Sequence, residues 1–304
     1  MTIVLLDPVR PTQVPVDAVE FLGGAVQFTE EVPVRVRWLF AGTAAPEDVD
    51  AVLVSTDRAN PEVQDRIASG ERVIAADKLP GDDLVAAVHL MDRLRTLGGW
   101  EAQQTHDSLR GYLLEETYEL LDAIAAGNLD DLREELGDLL LQVLFHSRIA
   151  QDAETNAFDV DDVAAGLVAK LTHRSPHLGR TDAGPIDIAE QERAWEEKKA
   201  SEKARGSCID GIALSQPSLA LAQKVIGRAT KAGLPDELVP DGLRVVHIGL
   251  DHSHGGESAE DALRRRVLDF ASLIRNAEAS ARNAGIEPGE MSALDWIEHW
   301  GLRG

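Results

Sequence analysis

The 304 residues are 44% hydrophobic but only 4% aromatic, so the chain can build two or three domains whose cores rest on aliphatic side chains. Its 30 basic and 53 acidic residues leave a net charge of −23. That balance excludes sequence-independent attraction to nucleic acid or to an anionic membrane, and it repels a phosphorylated ligand unless a cation intervenes. Cys208 is the single cysteine, which excludes an intrachain disulfide and a cysteine-based zinc site. "MTIVLLDPVRP" lacks a basic segment followed by a long apolar run, and no apolar stretch reaches membrane-spanning length, so a soluble cytoplasmic protein is expected.

In chain order, residues 1–85 read as a small α/β domain. "TIVLL", "VRVRWLF", "AVLVST" and "RVIAAD" are short β-branched runs and predict strands. "PEVQDRIASG" predicts a short helix ending at Gly70. No glycine-rich phosphate loop follows a strand, so this part carries no nucleotide fingerprint.

From about residue 84 the apolar period becomes helical. Helices are predicted over 82–96 and 107–126, from about 129 to 153, over 159–173 and through "IAEQERAWEEKKASEKAR". "GSCIDGIALSQP" reads as a linker. Two further helices, near 217–233 and 257–284, flank the Gly/His-rich "HIGLDHSHGGES". "ELGDLLLQVLFHSRIAQDAE" (135–154) aligns without gaps on "RVLDFASLIRNAEASARNAG" (266–285), a faint repeat that puts Arg266 at the place of Glu135 and Asp269 at that of Asp138. The predicted architecture is mainly α: an α/β domain (1–85), a helical domain (86–205) and a degenerate second helical repeat (216–304).

"YLLEETYELLDAI" (112–124) sets Glu115, Glu116 and Glu119 beside an apolar stripe of Leu113, Leu114, Tyr118, Leu120, Leu121 and Ile124 that should face a core. On the next helix Glu135 and Asp138 repeat the i, i+3 spacing, which puts two carboxylates on one face. Gly127-Asn128 predicts a tight turn and an antiparallel hairpin. The first pair lies about 10 residues before that turn and the second about 9 after it, so both stand at nearly one height. Four converging carboxylates repel one another, and a divalent cation resolves the repulsion; oxygen-only ligands suit Mg²⁺ or Mn²⁺. His146, His173 and His177 lack ligand spacing and read as ordinary.

"LLEETYELLDAI" followed by "DLREELGDLLLQVLFHSRIA" resembles the MazG family of nucleoside triphosphate pyrophosphohydrolases, whose EExxE…ExxD motif is present as Glu115, Glu116, Glu119, Glu135 and Asp138. The likeness is good over about 87–200 and weaker after 216. It implies an all-α fold and Mg²⁺ held by Glu116, Glu119, Glu135 and Asp138, with nucleoside triphosphates cleaved to monophosphate and diphosphate. Glu116 or Glu119 would act as base, with Glu115 an outer partner. It further implies substrate contacts at Trp100, Lys170, Arg174, Trp195 and Lys199, a homodimer, and a nucleotide-pool housecleaning role. The family's Cys-Pro-Trp-Asp is reduced to "GGWE", which keeps Trp100 but replaces Asp by Glu101. Two other readings are a narrower dUTPase- or dCTPase-like pyrophosphatase and a metal-stabilised helical interaction module without catalysis.

Overall fold

A computed structural model describes residues 2–40, 50–175, 187–201, 206–246, 248 and 258–301, with the side chains at 196, 197 and 199–201 left aside. The chain divides into two compact units at Leu171/Thr172.

The first unit opens with a parallel sheet of β1 (Thr2–Leu5), β2 (Val26–Phe28), β3 (Val52–Ser55) and β4 (Arg72–Ala75), in the order β2-β3-β1-β4. Side chains alternate across it as a two-residue period requires. Val4, Val26, Val54 and Ile74 face one layer, which includes α1 (Val34–Leu39); Ile3 and Leu53 face Val63 of α2 (Pro61–Ala68) on the other. Two strand expectations change here. "VRVRWLF" is not a strand: Pro33 precedes its first helical residue, where a missing N–H costs nothing, and only Val36 is buried. The strand that does form, Val26–Phe28, is too short to carry a clear alternation. Asn60 caps α2 by accepting from the Glu62 N–H, with Pro61 in the first turn.

Five helices follow in this unit: α3 (Asp82–Leu97), the short α4 (Trp100–Gln103), α5 (Arg110–Ala126), α6 (Leu129–Gln151) and α7 (Val160–Arg174), which crosses into the second unit. α5 and α6 form the expected hairpin. Gly127 ends α5 in the left-handed region at φ 69°, where its amide reaches back to the carbonyls of Ala123 and Ile124, and Asn128 at once caps α6 through the Asp130 N–H. Met91, Leu109, Leu144 and Phe145 form the small core joining α3, α5 and α6. The apolar stripe of α5 does not face a core among the described residues of this unit. Leu113, Leu114, Tyr118, Leu121 and Ile124 are exposed, and Ala123 is the one residue of α5 that is buried. Leu136, Leu140, Leu141 and Val143 of α6 are exposed as well.

The second unit contains α8 (Ile188–Ser201), α9 (Ser218–Lys231), α10 (Asp241–Arg244), α11 (Ala259–Asn283) and α12 (Ala293–His299). Its core runs along α9 and α11, with Leu221, Val225, Phe270, Ile274 and Trp296 at 2% exposure or less. Trp296 donates its indole N–H to the Ala232 carbonyl at 3.0 Å, so its one polar atom is satisfied in the core. "GSCIDGIALSQP" is not a free linker: Ile209 and Ile212 insert into this core. Most of "HIGLDHSHGGES" lies outside the described residues.

Candidate active site

The hairpin brings three of the four expected carboxylates together. Glu116, Glu119 and Glu135 each offer an oxygen, and these oxygens lie within 4.8 Å of one another. Asp138 stands outside that group, yet its charge acts on both Glu116 and Glu135. Burial first, and then the neighbouring carboxylates, push the Glu116 and Glu135 carboxyls above their ordinary values. Glu135 Oε2 is buried without a hydrogen-bond partner among the described residues. An acidic group that is crowded, resists ionisation and holds an unpartnered oxygen has the donor chemistry of a hard-cation site. Glu115 is exposed and acts on Glu116 only through its charge.

Trp100 is half exposed and packs edge-on against Tyr112 and Phe145, with ring centroids 5.9 and 6.0 Å away. Arg95 fixes the segment after it by donating to the carbonyls of Glu101 and Gln104, and is itself held by Asp152 at 2.8 Å. Lys170 lies exposed on α7. In the second unit the Arg174 guanidinium sits over the Trp195 ring, 5.2 Å from its centroid, an arrangement that orients both groups. The Lys199 side chain and His177 lie outside the described residues.

Two polar groups on α6 escape the sequence pattern. His146 joins no metal-ligand group among the described residues, but its Nδ1 lies 2.8 Å from Nδ1 of His106, the rings are nearly parallel, and its buried Nε2 finds no partner among the described residues. Burial, and then the charge of His106, lowers the His146 pKa. Gln142 of α6 is 5% exposed and its Oε1 has no partner among the described residues. Nothing in linear spacing marks a histidine pair 40 residues apart. The buried Gln142 was visible only as a polar residue inside "LLLQVLF".

Residues 1–74 match the MazG N-terminal domain, and residues 104–179 match the MazG nucleotide pyrophosphohydrolase domain, the stretch that bears all five acids. A protein of Mycobacterium tuberculosis named nucleoside triphosphate pyrophosphohydrolase is 51% identical over 314 residues, covering 99% of this chain and 94% of its own. The chain belongs to the MazG family. A Mycolicibacterium smegmatis relative of the same name is 53% identical, covering 99% and 96% of the two chains. The Escherichia coli K12 protein of that name is 42% identical over 150 residues, 47% of this chain and 56% of its own. The MazG N-terminal domain thus coincides with the parallel sheet, and the MazG pyrophosphohydrolase domain with the acidic hairpin.

Proposed function

We propose that this chain is a Mg²⁺-dependent nucleoside triphosphate pyrophosphohydrolase that converts (d)NTP and water into (d)NMP and diphosphate. The reading rests on one observation above all: Glu116, Glu119 and Glu135 converge within 4.8 Å inside the segment that matches the pyrophosphohydrolase domain. Glu116, Glu119, Glu135 and Asp138 would hold the cation. When bound, Mg²⁺ supplies neutralising charge for a polyphosphate and lowers the pKa of water. Glu116 or Glu119 takes the proton from the attacking water, with Glu115 outside them. Lys170, Arg174 and Lys199 neutralise phosphate oxygens, and Trp100 and Trp195 meet the nucleoside.

The same site fits removal of surplus or aberrant nucleotides from the cytoplasmic pool. No described helix is long and apolar enough to cross a membrane. The bare apolar faces of α5 and α6 support assembly as a homodimer, since leaving Leu113, Leu114, Leu121, Leu140 and Leu141 in water forgoes their burial energy.

Product analysis with mixed dNTPs tests the reaction. Equimolar monophosphate and diphosphate are expected with Mg²⁺ and neither in EDTA, and Glu119→Ala should abolish turnover with its helical circular dichroism retained. Nucleoside diphosphate and orthophosphate as first products, or near-normal turnover by Glu119→Ala, would refute the proposal.

A further inference from the structure

Gln142 is a buried amide whose oxygen finds no partner among the described residues, and buried polar atoms are rarely left so without a purpose. It stands four residues beyond Asp138 on α6, a rise of about 6 Å along the helix. By the antiparallel count, Tyr112 of α5 lies at the same level, four residues before Glu116. Three residues further along α6, Phe145 meets the half-exposed Trp100 ring edge-on, and Tyr112 meets the same ring from α5. In the opposite direction the hairpin runs to its turn, where residues 124–130 are exposed and none carries an aromatic ring.

The hairpin is therefore polar in sequence along its length: carboxylates, then an amide beside a tyrosine, then a ring cluster. A nucleoside triphosphate with its phosphates at the acids has its sugar and base displaced by a comparable distance, and the ring cluster lies on the side away from the turn, with Tyr118 alone level with the acids. We propose that Gln142 is a specificity-determining residue whose side-chain amide hydrogen-bonds the edge of the nucleobase while the base lies against the exposed part of the Trp100 ring. This rests on the proposed pyrophosphohydrolase reading. A carboxamide presents one acceptor and one donor set, so it pairs with a base edge that offers both in turn, and a mismatched edge leaves buried polar atoms unsatisfied on both partners.

The test is steady-state kinetics on dATP, dCTP, dGTP and dTTP at saturating Mg²⁺ for wild type, Gln142→Met and Gln142→Glu. Methionine keeps the length and loses the amide; glutamate keeps acceptors and loses the donor. The spread of kcat/KM between the best and worst base is expected to shrink about tenfold in Gln142→Met, as loss of a base-reading hydrogen bond requires. Mg²⁺ affinity without nucleotide, measured by calorimetry, should stay unchanged in that variant. In Gln142→Glu the preference should move toward bases with an exocyclic amine. An equal loss on all four substrates with unchanged ratios overturns the inference and makes Gln142 a structural amide. If Gln142→Met does not fold, unchanged ratios in Gln142→Glu overturn it alone. A wild type that turns over all four bases equally overturns this inference and leaves the pyrophosphohydrolase standing. A wild type that hydrolyses none overturns both.

Discussion

Replacing Glu116 by glutamine should reverse the order of stability depending on the metal. In the free protein the Glu116 carboxylate faces the oxygens of Glu119 and Glu135 within 4.8 Å. With water's dielectric constant as the screened limit, the pair with Glu119 repels by about 0.9 kcal/mol, and physiological salt roughly halves that. Removing the charge should therefore stabilise the metal-free chain by up to about 1 kcal/mol, less the loss of any hydrogen bond to Glu119. With Mg²⁺ at about 100 times its dissociation constant, the wild type gains about 2.7 kcal/mol by linkage, whereas the variant loses part of its ligand set and most of that gain. Thermal midpoints in EDTA and in excess Mg²⁺ at pH 7.5 measure both arms. Glu116→Gln should melt at or above wild type in EDTA and below it in Mg²⁺. A variant that melts lower in EDTA would show that Glu116 stabilises the free fold, and the reasoning from repulsion would be wrong.

The pH dependence follows from the same crowding. Glu116 and Glu135 have raised pKa values, so their contribution to metal-free stability is present at pH below the unfolded carboxylate range and is lost as pH rises through their folded pKa. Mg²⁺ affinity must rise across that same window, and isothermal titrations from pH 4.5 to 7.5 that showed a flat affinity would contradict the assignment. In the second unit, Arg266 and Asp269 are both exposed and Arg266 reaches toward the Gly242 carbonyl, so this helix offers no counterpart of the acidic group. Asp269→Ala should leave kcat/KM within about twofold of wild type, since it changes one exposed side chain that belongs to no acidic group; a severe loss would make the second repeat part of the catalytic machinery.

The hairpin was legible because its signals are local. Gly127 and Asn128 announce the turn, and i, i+3 acids announce the shared face, so counting residues sufficed to bring Glu116, Glu119 and Glu135 together. Where burial depends on residues far apart, the linear pattern misled. Leu114, Tyr118 and Leu121 have the period of a core stripe, but the period says only that something covers them, not that the same chain does. Val34–Leu39 has strand composition, and the preceding proline and the single buried Val36 made it a helix instead. Ile209 and Ile212 looked like linker residues because two isolated apolar side chains carry no period at all. The histidine pair was hidden for the plainest reason, that its members meet only in three dimensions.

The turn at Gly127-Asn128 acts as a ruler for the chemistry above it. Its glycine closes one helix and its asparagine opens the next with no residue between them. One inserted residue would advance α6 by about 1.5 Å and turn it by about 100° if the new turn were absorbed into the helix. Glu135 would then swing away from Glu119, although no acid had been altered. The spacing between EExxE and ExxD is thus held by two residues that never touch a substrate, and lengthening that connection would be as damaging to the site as deleting a ligand.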